Sequence, residues 1–244
     1  MNDIHDDSKK CADLLDLQPM DEAQMVFYIG DIMSYYNRDD QPYTSFIDVS
    51  VERFAKNKPF AVVRGNHETR GNMARTYDKF IHNTRDGKYY GVYYCGDTAV
   101  IMLDSGEDKP DSDIEYGGTA AYDAYREAMA AWLKEAIQSE EFRSAPVKIA
   151  LLHIPFSKGT GWYGNNELKR LLLPLLNESG VDVMLSGHNH RYSYLEKGEA
   201  DNEFPILVNS NNDRVKVRAT KDEVVMEVLD ATGKMIHKHT VKVE

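Results

Sequence analysis

Two hundred and forty-four residues, 42% hydrophobic and 28% charged, describe a globular chain with material for one sizeable core. No apolar run approaches the roughly eighteen residues of a membrane span, and the opening MNDIHDDSKK lacks the basic flank and apolar centre of a secretory signal. Forty acidic against 29 basic side chains leave a formal charge of -11, which excludes a scaffold that holds nucleic acid by neutralising its backbone, so an anionic substrate must be attracted locally.

A first short helix is predicted over 8–17, where Cys11, Leu14, Leu15 and Leu17 group at helical spacing after an acidic start. MVFYIG (25–30) and PFAVVRG (59–65) read as buried strands, with a helix between them near 45–57. TAVIMLDS (98–105), VKIALLHI (147–154) and VDVMLSG (181–187) read as three more strands. The clearest helix is predicted over 119–138, with Thr119 as its cap and Tyr122, Tyr125, Met129, Trp132, Leu133 and Ile137 as its apolar stripe. A further helix over 166–180 contains Pro174, which predicts a kink or break. From Arg191 onward the pattern is β, ending in two alternating strands joined by a turn over 230–234. Cys11 and Cys95 are too few and too far apart for a zinc ribbon or a disulfide framework and read as free thiols.

Five clusters of oxygen and imidazole donors stand at the chain start or at the carboxyl ends of predicted strands. They are Asp3-Ile4-His5, Gly30-Asp31, Gly65-Asn66-His67-Glu68, His153 and Gly187-His188-Asn189-His190. A strand end followed by a glycine turn holds a side chain at the rim of a sheet, where open α/β sheets bind ligands. Carboxylate, amide and imidazole without thiolate suit hard or borderline divalent cations rather than a structural zinc site.

In this order the clusters resemble the D-x-H, G-D, G-N-H-E/D, H and G-H-x-H pattern of the calcineurin-like metallophosphoesterase superfamily, in a bacterial branch related to multidomain purple acid phosphatases. The resemblance implies a four-layer α/β/β/α metallophosphoesterase sandwich over 1–244 with a β-rich C-terminal finish, following an upstream Ig-like or fibronectin-like domain. It implies that Asp3, His5 and His190 hold one divalent metal, Asn66, His153 and His188 the other, and that Asp31 bridges them. The implied pair is Mn, Fe, Zn or Ni. The implied reaction is hydrolysis of a small phosphate ester by a hydroxide bridging two metals, with His67 as the proton donor to the leaving group. A monoester is favoured; the alternatives are a phosphodiesterase or nucleotide pyrophosphatase and, in another class, a metal-retaining binding module without catalysis.

Departures from two branches narrow the resemblance. Ser/Thr protein phosphatases continue the second motif as G-D-x-x-D-R-G, whereas this chain reads GDIMSYYN. Purple acid phosphatases carry D-x-G first and a metal-binding tyrosine three residues after the bridging aspartate; here His5 and Ser34 stand at those positions, and Tyr35 reads as wall or core.

Several neighbouring residues carry two readings each. Arg64 and Arg70 either fork onto a phosphate oxygen or form ion pairs. Trp162 and Tyr163 either stack a nucleobase or aryl leaving group or pack their loop. Asp6 and Asp7 either steady the imidazoles or begin the first helix, and Asp104 and Glu107 follow a strand that can approach the site. Glu68 is expected to orient His67 or its loop. His237 and His239 share a face read as solvated, and His82 reads as a loop residue. Only Met1 and Asn2 precede the first motif where the family carries a strand, which predicts a frayed start for Asp3 and His5.

Overall fold

The computed structural model describes residues 1–81 and 87–243, so His82 lies outside the described residues. In chain order, helix α1 (Ser8–Asp16) precedes strand β1 (Val26–Ile29), helix α2 (Asp48–Ser50, continued by wider π-type turns over Tyr43–Ile47 and Val51–Ala55) and strand β2 (Phe60–Val63). Strands β3 (Gly91–Cys95) and β4 (Thr98–Met102), helices α3 (Tyr122–Ala136) and α4 (Glu140–Ser144), strand β5 (Val147–Leu151), helix α5 (Tyr163–Ser179) and strand β6 (Val183–Ser186) follow. The finish is β7 (Ser193–Leu195), β8 (Ile206–Val208), β9 (Arg214–Ala219), β10 (Glu223–Leu229) and β11 (Met235–Lys242).

One sheet has the order β3-β4-β5-β6-β8-β7, parallel through β4, β5, β6 and β8 and antiparallel at both edges. Facing it are the parallel pair β1-β2 and the antiparallel β11-β10-β9. The period-2 alternation of each strand assigns its residues to two cores. Val100, Met102, Ile149, Leu151, Leu185 and Leu207 meet Ile29, Val63, Val224, Met226 and Val228 between the sheets. The alternate residues Ala99, Ile101, Ala150, Leu152, Met184 and Ile206 pack outward against Met129, Leu133, Phe142, Leu168 and Leu172 of the helices. On the other side Val26, Tyr28 and Val62 pack against Cys11, Leu14, Leu15, Phe46 and Phe54. These three cores make the four-layer α/β/β/α sandwich, with the C-terminal strands completing both sheets.

Four local expectations change. Helix α3 begins at Tyr122, and Thr119 does not cap it; the carboxylate of Asp111 accepts the backbone N–H groups of Tyr122 and Asp123 instead, satisfying the open turn from a distance in sequence. Helix α5 continues through Pro174 rather than breaking there, with Pro174 and Arg170 both on its exposed side. Strand β3 is an addition to the expected strands: it is an edge strand with half-exposed tyrosines and has no continuous apolar run. The chain start is not frayed. Met1 carbonyl accepts from Ile29 at 2.7 Å, Asp3 N–H donates to Gly30 carbonyl at 2.9 Å and His5 N–H to Asp31 carbonyl at 3.0 Å, so 1–5 runs beside the end of β1.

Candidate metal centre

The ends of β1, β2, β5 and β6 deliver four of the five motifs to one rim, and the 1–5 segment delivers the fifth. The motif glycines make this approach possible. A Cβ on Gly65 would strike the carboxylate and backbone of Asp31, and one on Gly187 would lie 2.7 Å from Asp3 Oδ2. Each of these glycines therefore leaves room for a carboxylate of another motif.

Three overlapping groups of donor atoms result, each with its atoms within 4.8 Å of one another: Asp3, His5 and His190; His5, Asp31 and His67; and Asp31, His153 and His188. Asp31 and His5 link the groups. His190 Nε2 lies 3.1 Å from Asp3 Oδ1 and 3.1 Å from His5 Nε2, while His153 Nε2 lies 3.0 Å from Asp31 Oδ2. Asn66 joins through its side-chain oxygen, 3.1 Å from His188 Nδ1. Asp3 Oδ1 and His153 Nε2 are buried without a hydrogen bond of acceptable geometry, although a charged neighbour stands close to each. Buried donors left open and converging in this way fit divalent cations with nitrogen and oxygen ligands.

The remaining atoms of these side chains are fixed by the fold. Asp3 Oδ2 accepts from Asn2 Nδ2 at 2.6 Å and from the His188 N–H at 2.9 Å, leaving Oδ1 to face the imidazoles. His153 Nδ1–H donates to the Ile29 carbonyl at 2.7 Å, which directs Nε2 towards Asp31. His67 Nδ1–H donates to the Ser34 carbonyl at 2.7 Å, which leaves its Nε2 facing the site, 3.9 Å from Asp31 Oδ2. Glu68, fully buried, accepts backbone N–H groups from Asp31, Met33 and Gly65.

Backbone strain is concentrated here. Asp3, His5, Asp31, His188 and His190 all have φ between +53° and +70°, five of the seven non-glycine residues with positive φ among the described residues. Such a conformation costs about 1–3 kcal/mol per residue and persists only where surrounding bonds impose it.

Electrostatics separate the imidazoles. Burial penalises charge on Asp31, but the adjoining His153 outweighs it and holds the carboxyl well below the usual carboxylate range. Burial also works against a proton on His153, yet Asp31 overrides it and raises the ring, so without metal a proton faces Asp31 where a bound cation would displace it. His188, buried and next to His153, falls to about 4 and presents a neutral ring, the form a cation requires. On the exposed side, the close Asp3 carboxylate raises His190.

The flanking residues divide. Arg64 is buried against Asp104 at 2.7 Å and lies 4.0 Å over the Tyr89 ring, and Arg70 forks onto Glu107 with two 2.8 Å bonds, so both arginines take the ion-pair reading. Asp104 and Glu107 are thereby spent on arginines. Asp6 accepts from Ser34 N–H, Gln41 Nε2 and Ser45 Oγ and so ties down 34–45, whereas Asp7 caps α1. Trp162 is 64% exposed, 6.4 Å from the His188 ring, and Tyr35 is 51% exposed, 5.9 Å from the His67 ring. His237 and His239 are not a solvated face: they stack on Tyr192 and Tyr194 at 3.8 and 3.7 Å. Sequence reasoning missed Asn209, whose Nδ2 donates to Asn2 Oδ1, 207 positions away, and thus braces the neighbour of Asp3. It had no local signal. A cavity of about 700 Å³ opens between the β1 and β9 edges, lined in part by Val26, Phe27, Leu207 and Val217, and includes none of the motif imidazoles.

A sequence model described as calcineurin-like phosphoesterase matches residues 1–192. Purple acid phosphatase 18 of Arabidopsis thaliana is 27% identical over 213 residues, which cover 79% of this chain and 44% of that protein, so the chain spans less than half the length of this curated relative. Among solved structures, a purple acid phosphatase from yellow lupin (Lupinus luteus) seeds aligns with a TM-score of 0.67 at 16% identity, over 96% of this chain and 49% of its own. A dimetal phosphatase from Danio rerio aligns with a TM-score of 0.67 at 13% identity, over 97% of this chain and 89% of its own. At these identities the two structures speak for the fold alone.

Proposed function

Because the chain belongs to the calcineurin-like phosphoesterase family, as a metal-dependent hydrolase of phosphate esters, we propose that it is a dinuclear phosphomonoesterase, in a domain that takes in residues 1–244. The observation that carries this reading is the open pair of buried donors, Asp3 Oδ1 and His153 Nε2, in two donor groups that a third group, His5, Asp31 and His67, links. In this reading Asp3, His5 and His190 hold one divalent cation, Asn66, His153 and His188 the other, and Asp31 lies between them. When bound, the cations supply Lewis acidity towards phosphoryl oxygens and activation of water.

The protein's own groups set the rest of the chemistry. His188, kept neutral by burial, and the buried His153, oriented by Ile29, hold fixed positions without solvent reorganisation. His67, half-exposed and anchored through Nδ1, presents Nε2 to the leaving-group oxygen and donates a proton there as the ester bond breaks. With Arg64 and Arg70 committed to carboxylates, the attraction of an anionic ester to a chain of charge -11 falls to the cations and imidazoles. The name purple acid phosphatase, borne by a relative, agrees with a phosphate monoester as substrate.

Metal analysis of the purified chain, beside hydrolysis of p-nitrophenyl phosphate and bis(p-nitrophenyl) phosphate with added Mn²⁺, tests the proposal. Two metals per chain and faster turnover of the monoester are expected. Preference for the diester would move the assignment to a phosphodiesterase, and two metals without turnover to a binding module.

A further inference from the structure

The two exposed aromatic rings nearest the imidazoles stand beside different motifs. Tyr35 is set edge-on to His67 at 77°, and Trp162 edge-on to His188 at 90°. Both are mostly in water, 51% and 64% exposed. Large apolar rings that touch a site by one edge and leave their faces open are the surfaces on which a flat ligand group stacks.

The backbone beneath each ring is held in a matching way. Gln41, buried, donates through Nε2 to the Tyr35 carbonyl at 2.7 Å and accepts the Asn37 N–H through Oε1 at 2.9 Å, while Tyr36 N–H is held by the Arg70 carbonyl. Asn166 accepts the Gly161 N–H at 2.9 Å and donates to the Gly161 carbonyl at 3.0 Å, fixing the residue before Trp162. The exposed rings thus ride on backbone that is already ordered, so stacking a ligand ring costs little further loop entropy.

Resting on the phosphoesterase reading, we propose that Tyr35 and Trp162 are stacking platforms that select phosphate esters carrying a planar ring set off from the phosphorus by a sugar-sized spacer, as in a nucleotide. The spacer follows from placement. Trp162 stands beside the donor His188, whereas Tyr35 stands beyond His67, whose Nε2 faces the site, so a ring bonded directly to the ester oxygen would meet His67 before it met Tyr35. Ring stacking on an aromatic side chain is sequence-tolerant and strong enough to change affinity by roughly ten- to a hundredfold.

Adenosine 5′-monophosphate and ribose 5-phosphate share the ester and differ in the base, so the ratio of their kcat/KM values on the metal-loaded enzyme reads the platforms directly. The ratio is expected to exceed about ten, to fall by roughly ten- to a hundredfold in Tyr35→Ala or Trp162→Ala, and to survive in Tyr35→Phe, which keeps the ring. Phenyl phosphate, with its ring directly attached, is expected to respond less to Tyr35→Ala than adenosine 5′-monophosphate does. Turnover with a ratio near one, or a ratio indifferent to both alanine variants, overturns the platform proposal and leaves the phosphoesterase reading standing. If the enzyme hydrolyses only diesters, thymidine 5′-monophosphate p-nitrophenyl ester against methyl p-nitrophenyl phosphate gives the same ratio with the same two outcomes. No turnover of any of these esters overturns the parent reading, and the platforms with it.

Discussion

Glu68 Oε2 accepts the backbone N–H of Asp31 at 2.9 Å and also that of Gly65 at 2.8 Å, so one buried carboxylate bolts two motifs together. Burial, and after it the nearby Asp31 charge, push the Glu68 carboxyl up to about 7, which shows what holding this anion here costs. Glu68→Gln, which keeps the volume and gives up an acceptor oxygen, is expected to weaken metal affinity by roughly ten- to a hundredfold, as loss of an outer partner does at metal sites. Chelator competition measures it. Unchanged affinity would mean that Asp31 holds its strained φ of +54° without this support.

Asp31 belongs to two of the three donor groups, so Asp31→Asn is expected to empty more than one position. Metal analysis should return less than one ion per chain, with turnover reduced in parallel. Retention of both ions at full activity would remove Asp31 from between them.

The proton-donor role of His67 has a leaving-group signature. His67→Ala is expected to lose about 10²- to 10⁴-fold in kcat on an alkyl phosphate and far less on p-nitrophenyl phosphate, whose leaving group needs no proton. Equal loss on both esters would instead assign the His67 ring to orientation of substrate, because the backbone N–H of residue 67, which donates to Asp31 Oδ1 at 2.9 Å, is kept in the alanine variant.

Arg64 and Asp104 bind no metal in any reading, yet they support the loop that carries Asn66 and His67. Asp104 takes Arg64 at 2.7 Å, the Tyr125 hydroxyl at 2.8 Å and the Gly106 N–H at 2.9 Å, and is fully buried. Asp104→Ala strands the guanidinium charge and should cost about 3–5 kcal/mol of unfolding free energy. Denaturant titration of the metal-free chain reads this apart from any effect on catalysis, and a loss below 1 kcal/mol would show that water reaches Arg64.

The donors were legible because each motif is local: D-x-H, G-D, G-N-H-E and G-H-x-H write ligand and turn within four residues. So were the strands of continuous apolar character. What positions the donors was not legible, because Asn209 reaches Asn2, Asp111 caps α3 and Ile29 orients His153 across long separations that leave no periodicity. The arginines illustrate the limit differently. Arg64 and Arg70 flank the right loop, but whether a guanidinium faces substrate or a carboxylate depends on Asp104 and Glu107, some forty residues away. Nor does residue type reveal that five donors sit at positive φ, since aspartate and histidine tolerate that region without requiring it.

The β10-β11 hairpin is joined to the strand after the last motif by paired rings, and the joint should respond to pH. Tyr192, two residues after His190, stacks on His237 and approaches His239 Nε2 through its hydroxyl at 2.5 Å, while Tyr194 stacks on His239. Burial, then the nearby His237, lower His239 below its ordinary 6.5, with Glu196 opposing. A depressed histidine is protonated more readily in the unfolded chain, so its contribution to stability is present above about pH 6.5 and lost as the pH falls through that value. Thermal unfolding of the protein and of His239→Gln at equal metal loading, from about pH 8 to pH 5, isolates this group from the carboxylates and ligands that titrate in both. The Tm advantage of the native residue should shrink on acidification. An advantage that stayed constant, or grew, would mean that His239 carries its proton in the folded hairpin and that Tyr192 and Glu196 outweigh burial.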